Sequence, residues 1–138
     1  MINWENIAAL LLEFGADPRI RNLKGETAIG FACLHQNLRI CQMLQAARVD
    51  VNNRDHLGRT PLFISVKANK DTDLVKFLIQ SGADPNISDN ELNSPLHVAA
   101  ERGLKEFALM LLSAGADPYE LNSSHQLPYE LVPKDTLK

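Results

Sequence analysis

The chain has 138 residues, the size of one ordinary domain and enough to bury a real core. With 45% hydrophobic and 22% charged residues, seven glycines and seven prolines, it is neither disordered nor collagen-like. A formal net charge of −3 supplies no basic field for a polyanion, two cysteines cannot build a disulfide framework, and no apolar run approaches the ~18 residues of a membrane span. The start, Met1 to Asn6, lacks the basic and apolar stretches of a signal peptide. These features predict a protein of a reducing compartment, cytoplasmic or nuclear.

In chain order, the first element is an amphipathic helix carrying Trp4, Ile7, Leu10 and Leu11, followed by Gly15-Ala16-Asp17-Pro18. That tetrapeptide returns as Gly82-Ala83-Asp84-Pro85 and Gly115-Ala116-Asp117-Pro118, with a degenerate copy at Arg48-Val49-Asp50-Val51. The aspartates at 17, 50, 84 and 117 are spaced 33, 34 and 33. Thr27-Ala28-Ile29, Thr60-Pro61-Leu62, Ser94-Pro95-Leu96 and Leu127-Pro128-Tyr129 keep the same steps. Each period divides into a turn such as Asp55 to Arg59, a short apolar helix such as Pro61 to Ala68, and a second helix such as Leu74 to Gln80. Thr60 and Ser94 suit N-caps, proline suits the first turn, and Gly82 suits a left-handed C-terminal cap.

The pattern Asp-x-x-Gly-x-Thr-Pro-Leu, paired helices, then Gly-Ala-Asp resembles the ankyrin repeat. Asp55 to Leu62 and Ser94 to Gly103 match it almost letter for letter. The resemblance implies an all-α solenoid of stacked helix-turn-helix units with protruding β-turn or hairpin loops. One domain over residues 1–138 is expected, with full repeats at 22–54, 55–88 and 89–121. Partial units flank them at 3–21, which lacks a first helix, and 122–138, a turn and one short helix closed by Pro133 with polar residues beyond. The broken first unit suggests a fragment or shortened isoform of a longer array, and a route to self-association.

Several positions depart from the pattern. Arg48 replaces a glycine where a positive φ costs a non-glycine residue about 1 kcal/mol. Gln36 and Asn69 stand where Gly103 stands, and Leu92 where Gly58 stands. Gly30 and Phe63 replace the family's histidine, which His97 keeps. One extra residue falls near Asn69 to Asp73. Lys67, Lys70 and Lys76 gather loosely there, interrupted by Asp71 and Asp73, as a solvated surface.

Enzymatic chemistry leaves no signature. His35, His56, His97 and His125 fall at a helix end, a turn tip, a capping position and another tip, and the resemblance gives His97 a backbone-bonding role. Cys33 and Cys41 lack zinc-ligand spacing and suit small core positions. Phosphate-binding and nucleophile-elbow motifs are absent. No cofactor, metal or catalytic residue is expected. The resemblance does imply a modification: asparaginyl hydroxylation follows Leu-x5-Asp-Val-Asn, which Leu44 to Asn52 matches and Leu78 to Asn86 matches less well, against an ordinary turn asparagine.

Ankyrin arrays bind along their turn tips and first helices, so the resemblance implies a non-catalytic module holding a segment of another protein. The net charge and the lack of a long apolar run argue against nucleic acid and membrane as partners. The alternative is a recognition or scaffold segment of a larger enzyme or channel. The tips offer Arg21, Leu23 and Lys24, then Arg54, His56, Leu57 and Arg59, then Asn90, Glu91 and Leu92. The first helices add Phe31, Leu34, Ile64, Lys67, Glu101 and Arg102. Arginine and histidine beside exposed leucine suit a peptide with carboxylates next to apolar anchors.

Overall fold

The computed structural model describes residues 3–68 and 71–137, with side chains as far as Asp135. The positions of Asn69 and Lys70 lie outside the described residues. Seven helices follow in order: α1 (Trp4–Glu13), α2 (Ala28–Leu34), α3 (Leu38–Ala46), α4 (Pro61–Ala68), α5 (Thr72–Gln80), α6 (Pro95–Glu101) and α7 (Lys105–Ser113). Two 3-10 turns, Pro128–Leu131 and Lys134–Leu137, end the chain. No strand occurs among the described residues.

Local chemistry sets the boundaries. The Thr27, Thr60 and Ser94 hydroxyls each accept the backbone N–H three residues on, capping α2, α4 and α6. The side-chain oxygens of Asn3, Asn37 and Asp71 accept backbone N–H groups two or three residues on, capping α1, α3 and α5. Each outer helix of the array ends in a left-handed residue. After α5, Gly82 (φ 95°) lets Ala83 N–H bond the Leu78 carbonyl at 3.0 Å. The final unit has Leu127 at its cap position, with no hydroxyl to accept. Glu130 instead reaches back to the Leu127 N–H, and only a 3-10 turn forms. The expected closure at Pro133 is followed by a second 3-10 turn rather than free coil.

The helices form two layers. The first helices α2, α4, α6 and the Pro128–Leu131 turn stack side by side, and the second helices α1, α3, α5 and α7 stack behind them. The core runs along the junction through Ile29, Leu62, Val66, Leu74, Leu78 and Leu111, all with no exposed surface. In α4, flanked on both sides, Pro61 to Val66 are all buried. In α1 no residue is buried, and Trp4, Leu10, Leu11 and Phe14 are exposed. Among the described residues no first helix packs beside α1, as expected for the partial unit 3–21.

The four tips share one geometry. A residue at 22, 55, 89 or 122 accepts the N–H three residues on, and its own N–H bonds the carbonyl four residues on. That is a turn followed by a left-handed residue. Gly58 (φ 77°) fills that place because a Cβ there would lie 2.8 Å from the Asn90 backbone nitrogen of the next tip. Leu92 (φ 60°) and His125 (φ 58°) adopt the same conformation without being glycine. The residue facing Leu92 by register is Ser123, smaller than the Asn90 that faces Gly58. Gln36 (φ 57°) and Arg48 (φ 61°) are left-handed as their repeat positions require. The left-handed conformation of His125 was not anticipated; its place in the same register as Gly25, Gly58 and Leu92 was the available signal.

Arg48→Gly removes the left-handed strain and should raise stability in urea denaturation by about 1 kcal/mol. Gly58→Ala should lower it by about 1 kcal/mol or more, because a Cβ meets both the wrong φ and a backbone atom.

Candidate functional site

The side chains of the expected binding surface divide between those that hold the array together and those left free. Arg21 donates to the Gly25 carbonyl at 3.2 Å, to the Arg54 carbonyl, and to Asn53 Oδ1 at 3.2 Å. Arg54, one period later, donates to the Gly58 carbonyl and to the Ser88 carbonyl, both at 3.0 Å. Both guanidinium groups therefore brace their own tip and tie it to the next. Arg59 is half-buried and forks Asp55, with Nε at 2.8 Å and the terminal nitrogen at 2.7 Å from Oδ2. Asn90 donates to the His56 carbonyl at 2.7 Å, and Arg102 reaches back to the Lys67 carbonyl. These roles involve partners 33–35 residues away in sequence and were not recognised there.

Asn52 and Asn86 form a second set of joints. The Asn52 amide donates to the Gly82 carbonyl at 3.1 Å while its oxygen accepts the Asp84 N–H at 2.8 Å. Asn86 repeats this on the Gly115 carbonyl and the Asp117 N–H, at 3.0 and 2.7 Å. His97 is buried and bridges in its expected way. Its Nδ1 accepts the Ser94 N–H at 3.1 Å, and its Nε2 donates to the Gln126 carbonyl at 3.1 Å. The partners fix this tautomer.

What remains free is a mixture of apolar and charged side chains along the tips and the first-helix face. Leu23 is 99% exposed, so it is not tucked between tips. Leu57 and Leu92 are about half exposed at their tips, and Lys24, His56, Glu91, Lys67 and Glu101 are exposed. On α2, Phe31 and Leu34 are 50% and 49% exposed, with the Phe31 ring 4.7 Å from that of His35. Ile64 is corrected. It is 8% exposed, because α4 is flanked on both sides, and it belongs to the core. It forms the floor of a notch of about 20 Å³, room for one water, walled by Phe31, Leu34, Pro61 and Arg59. Gly30 opens this notch where a side chain would narrow it. On the other side of Phe31 a cleft of about 940 Å³ runs between α1 and α2, lined by Trp4, Ile20, Ala28, His35 and Ile40 among others.

Among the described residues no group of three or more His, Cys, Asp or Glu could hold a metal ion. None of the described helices is long and apolar enough to cross a membrane. Cys33 and Cys41 are buried, free and 3.5 Å apart at sulfur, while His35 is exposed and stacks on Phe31.

The family model of ankyrin repeats (3 copies) matches residues 2–89 and again 46–122. The chain is 37% identical over 90 residues to YahD of Escherichia coli (strain K12), an ankyrin repeat protein by its name; this covers 62% of the chain and 45% of YahD. It is 40% identical over 81 residues to the human ankyrin repeat and SOCS box protein 9, covering 59% of the chain and 26% of that protein. It is 33% identical over 115 residues to the Drosophila melanogaster tyrosine-protein kinase Shark, covering 81% of the chain and 12% of the kinase. The chain thus spans less than half the length of these relatives.

Asn52→Ala removes one donor and one acceptor from the same joint. It should lower stability by about 2 kcal/mol in chemical denaturation, with Asn86→Ala close to it. His56→Ala, at an exposed tip, should stay within about 0.5 kcal/mol of the parent.

Proposed function

Because the chain belongs to the ankyrin-repeat family, whose repeats are generally non-catalytic protein–protein interaction modules, we propose that it binds a segment of a partner protein and has no catalysis of its own. The repeats 22–54, 55–88 and 89–121, with the partial units 3–21 and 122–138, act as one rigid platform. The segment lies across the tips, from Arg21 to Lys24, Arg54 to Arg59 and Asn90 to Leu92. It continues onto the first-helix face at Phe31, Leu34, Lys67, Glu101 and Arg102. One observation carries this reading: Phe31 and Leu34, half exposed on a face that needs no large apolar side chain, flank a notch with an apolar floor. An apolar side chain of the partner packs against Phe31 and Leu34 over the mouth of this notch. Carboxylates beside it meet Lys24 and Lys67, whose charges are not spent on joints, and accept a hydrogen bond from the exposed His56. Arg21, Arg54 and Arg59 shape the edge of this surface by holding the tips still, which reduces the ordering cost of binding. We place the protein in the cytoplasm or nucleus, from its two free, buried thiols.

The second reading is a recognition segment of a larger protein whose chemistry lies elsewhere. It is favoured by the short share of each relative that the chain covers, the kinase among them.

Affinity capture from lysate, with the parent chain beside Phe31→Ala/Leu34→Ala and Lys24→Ala/His56→Ala, tests the surface. Circular dichroism first establishes that all three fold. Loss of one prey with the apolar variant, and an affinity about thirtyfold weaker on the purified pair, is the expected outcome. Equal capture by all three removes this surface from consideration. Arg21→Ala and Arg54→Ala are poor probes, since each also removes a joint.

We further propose Asn52, and less strongly Asn86, as hydroxylation sites, supported by the Leu44 to Asn52 sequence alone. Both ends of the Asn52 amide are engaged with the next repeat, so modification requires that joint to open. A mass gain of about 16 Da on the Asn52 peptide of native protein, larger in a Leu78→Ala background with a loosened repeat, is expected. No gain in either background overturns the idea.

A further inference from the structure

Cys33 stands in the last turn of α2 and Cys41 in the first half of α3, and the sharp connection at 35–37 folds the helices back upon each other. Their sulfurs are thereby brought to 3.5 Å, both side chains lack exposed surface, and both thiols are free. The fully buried Ser65 hydroxyl faces Cys33 from α4. A pair of core positions filled by small hydrophobes would place alanine or valine here at no loss of packing. Two sulfurs in contact are a different chemical object.

We propose that Cys33 and Cys41 are a dithiol that closes to an intrachain disulfide when the native protein meets hydrogen peroxide. The sulfurs must approach from 3.5 Å to about 2.05 Å for the bond to close. One sulfur of the pair ionises and attacks first. The thiolate takes one peroxide oxygen, the O–O bond breaks, and hydroxide leaves to become water with the proton the thiol gave up. The sulfenic acid so formed is attacked by the other sulfur, its neighbour at 3.5 Å. The S–O bond breaks, the S–S bond forms, and the second thiol's proton leaves with the hydroxyl as a second water. Two thiols and one peroxide give one disulfide and two waters. Ala32 and Ile40, which precede the two cysteines in the chain, line the cleft beside α2, the nearest open space to the pair along the chain.

The sequence supplies a clean assay, because Arg39 separates the cysteines. Trypsin places Cys33 in peptide 25–39 and Cys41 in peptide 40–48. The reduced, folded full chain is treated with a slight excess of hydrogen peroxide, then alkylated in denaturant. The expected result is an intact mass lower by about 2 Da, no alkylation, and peptides 25–39 and 40–48 joined until dithiothreitol is added. Circular dichroism should be unchanged and the thermal midpoint should rise. Cys33→Ser and Cys41→Ser should each abolish the joined peptides and the rise in thermal midpoint. Two alkylated thiols after peroxide, a bond between two chains, or a lowered thermal midpoint would each overturn the proposal.

Discussion

Helices of seven to ten residues are marginal in water, since nucleation fixes several dihedrals for the first hydrogen bond. Every α-helix among the described residues falls in that range, so each must be held by the pair beside it. Burial does most of this: α4, covered on two sides, is buried over six consecutive residues, whereas α1, at the edge of the described array, buries none. The capping hydroxyls, the left-handed exits and the joints between units all serve the same end. They bring one short apolar face against the next at a constant distance in sequence.

That constraint decides which surface residues are available for function. A tip must stand out far enough to be seen by a partner, yet its backbone must stay in register with its neighbours. Arg21 and Arg54 meet the second demand, with both guanidinium groups turned along the array onto carbonyl oxygens. Lys24, Leu23 and His56 are left for the first. The same division applies to the first-helix face, where Arg102 reaches back to Lys67 while Phe31 and Leu34 stay open.

Much of this was legible in the sequence because it is local. A hydroxyl before proline, a glycine after a helix, and a 33-residue step are visible without coordinates, and so were the all-α stack and the capping role of His97. The left-handed Arg48, Gln36 and Leu92 followed from the glycines they replace. What escaped is non-local. An exposed arginine at a tip and an arginine tied to a carbonyl 33 residues on look identical on the page. Ile64 was misread because its exposure depends on having neighbours on both sides, which only the packing reveals. The 3-10 ending was missed because Leu127 occupies a cap position where its repeat counterparts carry hydroxyls. The contact between Cys33 and Cys41 depends on the turn between two helices, and spacing along the chain gave no hint of it.

The joints have a further property in what they hold on to. Asn52, Asn86, Arg54, Asn90, His97 and Arg102 all end on backbone carbonyls or amides of the adjoining unit. A backbone group is the same whatever side chain it carries. The adjoining unit can therefore change its outward residues over generations without loosening the seam. Coevolution between neighbours is relaxed, and mutational drift at the rim is tolerated by the scaffold that displays it. Such a chain can acquire a new recognition face by point changes while its architecture stays heritable.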